Sequence, residues 1–292
     1  MTRKQFSDRL LGEEKEAIPG CTDSKGSVCP MFLKERVAII TGAANGIGQA
    51  GARLFSKEGA KVVIADINDK EGEETAKGIR EQGNDAIFVH TDVCSVRDLE
   101  NMSKKAVETY GRLDIFWHNA GIFFEGHIDL VEEEKFDKEL QINLKGAVFG
   151  TKFAIREMRK VGGGCILYTS SMVGLRPTPY TPRYSLTHIV GKAGLVMLVR
   201  CLVEPLARDN IRVNCICPGP VRTALWNSGL VKEAEKEGIS TEEVLRNRLK
   251  RIPLGRCFTP EEIAKVALFL VSDMSSAITG VSLAADGGFA AV

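Results

Sequence analysis

Residues 180–192 read YTPRYSLTHIVGK and set Tyr180, Tyr184, His188 and Lys192 at intervals of four. Four residues make about one helical turn, so the spacing lines up three kinds of proton-moving side chain. Such groups work as acids and bases when burial or a neighbouring charge brings one of them near working pH. Thr181 can cap a helix here and Pro182 suits its first position, which puts Tyr184 in the first turn and Tyr180 outside it. In one regular helix Tyr184 and Lys192 stand about 12 Å apart along the axis and roughly 80° apart around it. They cannot meet without a distortion. The intervening THIVG holds three β-branched residues and a glycine, poor helix formers that permit a bulge or a late helix start. The buried backbone hydrogen bonds that a bulge would lose weigh against it. For His188 alone, the plain alternative to chemistry is a buried, hydrogen-bonded imidazole.

The elements that must hold these groups alternate in type. Short runs rich in β-branched residues occur at 36–42, 61–66, 86–92, 113–121, 165–171, 211–219 and 281–288. Helical periodicity fills 46–58, 70–82, 96–110, 136–160 and 192–208, and a charged helix is expected at 232–250 with a solvated face. Strands alternating with helices stack by right-handed crossovers into a parallel sheet. The expectation is one α/β domain over residues 32–292, a Rossmann-type, doubly wound parallel sheet of about seven strands with helices on both faces. Residues 1–31 mix acids and bases with no apolar core segment. They read as a flexible tail rather than a secretory or mitochondrial leader, with a docking arm as the alternative. Met31, which opens the first strand, is an alternative start of translation.

Composition narrows the function classes. Of 292 residues 44% are hydrophobic and 26% charged, and 39 basic against 38 acidic side chains leave a formal net charge of +1. No electrostatic footprint for nucleic acid or an anionic membrane follows from that balance. Charges or glycines interrupt every apolar run, so no bilayer-spanning segment is expected. None of the eight cysteines forms a CxxC pair or a zinc-spaced cluster. They read as small packing residues in a reducing cytoplasm, Cys215 and Cys217 sharing one side of a strand. No metal site is expected.

TGAANGIGQAG follows the first strand and opens the first helix. Gly42, Gly46 and Gly48 allow a tight turn and close backbone approach, and the helix N-terminus offers N–H groups and a positive dipole end to a pyrophosphate. Asp66 ends the second strand 18 positions after Gly48, close to the spacing of an acid that binds the adenosine ribose hydroxyls. A carboxylate there repels a 2′-phosphate, and Asn45 supplies no cation for one. Both features favour NAD over NADP.

At this point the sequence resembles the short-chain dehydrogenase/reductase family, over residues 32–289. TGAANGIG matches its TGxxxGxG loop, with Asn45, Ile47 and, after Asp66, Ile67 among the cofactor-binding positions implied. Asp92 and Val93 match its adenine-contacting pair. HNAG matches its NNAG, with Asn119, Ala120 and Gly121 in register and His118 replacing the first asparagine. INLKG puts Asn143 at the catalytic asparagine, which anchors a water in the family, and YTSSMVG puts Ser171 at the catalytic serine. IRVNCICPGPVRT matches the PG motif through Pro218, Gly219, Val221 and Thr223, the last of which contacts the nicotinamide amide. The resemblance implies hydride transfer between a nicotinamide and a carbonyl or secondary alcohol. A serine orients the substrate oxygen, a tyrosine donates the proton, and a lysine one turn later binds the nicotinamide ribose and lowers the tyrosine pKa.

The family pair is YxxxK, and this chain lacks it. Counted from Ser171, Tyr184 takes the tyrosine position but His188 takes the lysine position. Counted back from KAGLVMLVRCLVEPLARD, Lys192 is the family lysine and His188 takes the tyrosine position. Removing HIVG restores YSLTKAGL, so the chain reads as the family pattern plus four residues. Three readings follow. A distorted helix leaves Tyr184 as the acid beside Lys192; His188 replaces the tyrosine; or the pair is lost and the protein binds NAD(H) as a regulatory or structural module. The expected function is an NAD-dependent oxidoreductase acting on a secondary alcohol or ketone. Leu225 and Trp226 can line its pocket or serve packing alone, and no phosphate- or carboxylate-recognising cluster follows them, so an uncharged, mostly apolar substrate is expected. The family's assembly implies a homotetramer or homodimer through the helix beginning at Lys192, where Pro205 should kink the last turn.

Overall fold

The computed structural model describes residues 31–124, 128–176 and 186–292. Tyr180, Thr181, Pro182, Tyr184, Cys21, Cys29 and the tail through residue 30 lie outside the described residues. Seven strands, β1 Val37–Thr41, β2 Lys61–Asp66, β3 Ala86–His90, β4 Ile115–His118, β5 Gly164–Thr169, β6 Ile211–Pro218 and β7 Ser282–Ala285, form one sheet in the order β3-β2-β1-β4-β5-β6-β7. Every neighbouring pair is parallel, with Ala38 against Val62 on one side and Ile115 on the other. Parallel strands need covering on both faces, which is why β1 and β4 are buried throughout.

Alternate side chains feed two cores. Ala38, Ile40, Ile115 and Trp117 pack with helices α1 Gly46–Lys57, α2 Asp69–Arg80 and α10 Pro260–Val271. Val37, Ile39 and Phe116 pack with α3 Val96–Tyr110, α5 Gly146–Lys160 and α7 Leu186–Ala207. Cys215 and Cys217 point into this second core with sulfurs 3.9 Å apart, as packing residues on one side of β6.

The structure corrects four expectations. The helix expected at 136–160 is α4 Glu133–Leu140, a π turn over Gln141–Lys145, and α5. The charged helix 232–250 is two helices, α8 Ala224–Glu237 and α9 Thr241–Leu249. Gly238 ends the first in the left-handed region at φ 65°, and the Ser240 side chain caps the second by accepting from Glu243 N. Their face is not wholly solvated, because Glu233 is buried and its carboxylate receives Arg248 at 2.6 Å. The helix expected from Lys192 already includes Leu186, and THIVG lies in it as regular α-helix. That same α7 overturns the absence of a bilayer-length run: its 22 residues contain an 18-residue window of mean hydropathy 1.6, enough to cross a membrane by length and composition alone. It packs instead on β6, α4, the π turn and the short helix α6 Met172–Leu175. Pro205 falls in its last turn and the helix ends at Ala207.

Candidate active site

Strand order reverses between β1 and β4, and in an open parallel sheet the crevice beyond the strand C-termini at that point is where ligands bind. A cavity of about 420 Å³ lies there, lined by residues that follow β1 through β6. It brings together Gly42, Asn45, Gly46, Ile47, Asp66, Ile67, Asp92, Val93, Asn119, Ala120, Gly121, Pro218, Gly219, Val221 and Thr223, all singled out from sequence, with Ser171, His188 and Lys192. Leu225 and Trp226 line it as well. Gly48 and Asn143 stand behind the lining, and Tyr184 lies outside the described residues.

The glycine turn is built by close approach. Gly42 has φ 64°, and a Cβ on it would stand 2.7 Å from Ala120 Cα. A Cβ on Gly48 would collide with the Gly42 carbonyl oxygen and come within 2.7 Å of Asn119 Nδ2. Asn119 ties the turn to the sheet: its Nδ2 donates to Gly42 O at 3.0 Å, and its Oδ1 accepts from Thr169 Oγ1 at 3.0 Å. Asp66 is fixed by backbone donors, with Ala44 N on Oδ2 at 2.9 Å and Asn68 N on Oδ1 at 3.0 Å. Each carboxylate oxygen keeps acceptor capacity toward the cavity. Asn45 turns its amide to Glu71 at 2.8 Å, so no side chain caps α1. The helices α2, α3, α8, α9 and α10 are each capped by a side chain. The first-turn N–H groups of α1 are thus left for water or a ligand.

The other end of the cavity is polar and buried. Lys192 is 5% exposed and donates from Nζ to Thr169 O at 2.9 Å. Burial pulls its pKa down to about 8, against the opposing pull of the Glu139 carboxylate. Among the described residues lining the cavity it is the one lysine or arginine. Asp66 and Thr169 end strands three places apart, about 14 Å at the usual strand spacing. Asn143 sits in the π turn, where its Oδ1 accepts from Ile122 N at 3.0 Å and its Nδ2 donates to Ile122 O at 2.9 Å. The whole amide therefore fixes the chain just after β4. His188, one turn before Lys192, is 7% exposed, with Nδ1 3.3 Å from Ile122 O and 3.3 Å from Glu139 Oε1. Its pKa is lowered, chiefly by burial; Glu139 acts in the opposite sense and Lys192 in the same sense.

The sequence reading missed several lining residues: Thr91, Ile122, Phe123, Ile142, Thr169 and Ser170. Most flank a motif that was read, so position beside the motif was the available signal. Glu139 carried none, since it stands in the charged run EEEKFDKEL.

Comparison with known proteins agrees with this geometry. The family model described as enoyl-(acyl carrier protein) reductase matches residues 42–290. An uncharacterized oxidoreductase of Thermotoga maritima is 40% identical over 90% of this chain and 100% of its own length. The 2,5-dichloro-2,5-cyclohexadiene-1,4-diol dehydrogenase LinX of Sphingobium indicum is 35% identical over 88% of this chain and 97% of its own. A solved levodione reductase superposes with a TM-score of 0.83 at 27% identity, covering 89% of this chain and 99% of that one. The chain belongs to the short-chain dehydrogenase/reductase family and is an oxidoreductase of that family.

Proposed function

We propose that the protein is an NAD-dependent oxidoreductase of ring-borne, mostly apolar secondary alcohols and ketones, with His188 moving the proton. One observation carries this reading: His188 and Lys192 stand one helical turn apart on α7 and line the same cavity as Ser171 and Asp66. The site suits a dinucleotide. The uncapped start of α1 would receive a pyrophosphate, and Asp66 would accept from ribose hydroxyls and disfavour a 2′-phosphate. The bound nicotinamide supplies a hydride acceptor for oxidation or a donor for reduction. Lys192 spends one N–H on Thr169 O and has two left for the nicotinamide ribose. Ser171 Oγ accepts from Val173 N at 3.4 Å, which leaves its O–H to orient a substrate oxygen. His188, kept neutral by burial, accepts the alcohol proton.

Phe123, Ile142, Leu225 and Trp226 give the cavity apolar walls. Together with the cyclic diol in the name of the Sphingobium relative, they support an uncharged ring substrate. The six described cysteines are free thiols, which suits a reducing cytoplasm. The assembly in this reading is a homodimer or homotetramer through the outer face of α7.

The test is NAD+ reduction against a panel of cyclic secondary alcohols, with His188→Gln, Lys192→Met and Tyr184→Phe beside wild type. Wild type should turn over, and His188→Gln and Lys192→Met should each lose roughly a hundredfold or more, with Tyr184→Phe within a few-fold of wild type. Loss confined to Tyr184→Phe would move the proton role to that residue. NADH binding without turnover of any substrate would make the chain a binding module instead.

A further inference from the structure

α4 buries the wrong kind of residue. Its side chains from Glu133 to Lys138 are exposed, Phe136 among them, whereas Glu139 is 1% exposed. Leaving a carboxylate in that position is costly unless a cation or strong donors face it. Among the described residues, the active-site end of α7 faces Glu139. Its Oε1 lies 3.3 Å from His188 Nδ1, and its charge also reaches Lys192.

We propose that Glu139 is the positioning residue of a carboxylate–imidazole pair in which Glu139 holds His188 for proton transfer, an inference that rests on the role given to His188 above. The argument begins with the tautomer. Among the described residues the two groups at His188 Nδ1, the Ile122 carbonyl and the Glu139 carboxylate, are acceptors. In the neutral ring Nδ1 therefore carries the proton, and Nε2 keeps its lone pair. The Phe123 ring meets the imidazole edge-on at 5.8 Å and limits its rotation. Ile122 is itself clamped by Asn143, so the π turn, β4 and α7 converge on one imidazole.

The step balances with the reactants named. The alcohol C–H and O–H bonds break, the carbonyl forms, and NAD+ takes the hydride and is reduced. The hydroxyl proton forms a bond to Nε2 and later leaves the imidazolium for solvent. During that interval the ring is cationic. Among the described residues, the charged groups facing it are Glu139 from α4, which stabilises the cation, and Lys192 from α7, which opposes it. Without Glu139, a buried imidazolium one turn from a lysine would be a poor place to put a proton.

The experiment is the pH dependence of kcat for alcohol oxidation in wild type, Glu139→Gln, His188→Gln and the double variant. Glu139→Gln removes the charge that favours the protonated ring, so the acidic limb should move down by about one pH unit, and the plateau should fall by at least about tenfold. In the His188→Gln background Glu139→Gln should cost less than about twofold, because the two act as a unit. Independently, 15N shifts of labelled histidine in wild type should report the Nδ1–H tautomer at His188, a measurement that needs no variant to fold. An unmoved acidic limb, fully additive losses or an Nε2–H tautomer would each overturn the proposal. A His188→Gln enzyme with wild-type rate and limb would instead overturn the role of His188 itself.

Discussion

His118 shows how one residue can join three elements and set the acid limit of the fold. It stands where the family pattern has asparagine, fully buried at the end of β4. Its Nε2 lies 3.2 Å from Ile142 O, an acceptor only, so Nε2 carries the proton and Nδ1 accepts from Thr41 Oγ1 at 3.3 Å. Thr41 Oγ1 in turn accepts from the backbone N–H groups of Asn119 and Ala120. Burial, with Lys192 acting in the same sense, pulls the His118 pKa down to about 3 from 6.5. The unfolded chain thus takes up this proton below about pH 6.5, and the folded chain does so only near pH 3. Stability is complete above the unfolded value and is lost as pH falls between the two. At pH 5 the loss from this residue alone is about 2 kcal/mol. His188, also shifted down, adds in the same direction. Urea unfolding at pH 7 and pH 5 should therefore show a smaller acid loss in His118→Asn than in wild type. Parallel losses in the two proteins would mean that His118 is not the buried neutral group described.

The wall of the cavity at Leu225 and Trp226 depends on how α8 and α9 are held together. Arg248 of α9 binds the buried Glu233 carboxylate of α8 through Nη2 at 2.6 Å and Nε at 3.0 Å, and its guanidinium lies 4.5 Å from the Trp226 ring centroid. One side chain thereby clamps the pair and sets the wall at Trp226. Breaking a buried ion pair from one side costs about 3–5 kcal/mol. Arg248→Ala should accordingly loosen residues 224–249, seen as faster proteolysis there and a KM for the alcohol raised tenfold or more, with NADH affinity little changed. Equal proteolysis and an unchanged KM would show that the clamp does not shape the pocket. How far the sequence revealed such elements depends on whether the signal was local. The strands were legible because burial on both faces writes continuous apolar runs such as VAIIT. The break between α8 and α9 was written in Gly238 and Ser240, and α10 in the Thr259–Glu262 capping box, yet a charged or mixed composition obscured both. Neither the burial of Glu139 nor its meeting with His188 was legible, because it arises from the packing of α4 on α7 rather than from any period in EEEKFDKEL. The glycine turn and the placement of Asp66 at the cavity were legible, since both follow from backbone geometry at fixed spacing.

At the scale of the whole molecule, α7 is more apolar than its own chain can use. A helix that is hydrophobic all round must be covered all round. Only 39% of its most apolar 18-residue window is buried within the chain, and Val190 and Met197 are 49% and 53% exposed on its outer face. Two kinds of cover suit such a face, a lipid surface or a second copy of the chain. The helix carries Lys192 and His188 inward, packs on β6, and ends in the charged turn Glu204 to Asp209, so it is already committed as one layer of a doubly wound domain. A second copy would cover the outer face without removing those contacts, and a two-fold axis would set Met197 against the same face of its partner. Sedimentation equilibrium at micromolar concentration should give a dimer or tetramer for wild type. Met197→Glu should shift it toward monomer, because pairing copies would bury two carboxylates against apolar surface. A wild type that sediments as a monomer, or floats with neutral lipid vesicles while Met197→Glu does not, would exclude self-association as the cover of this face.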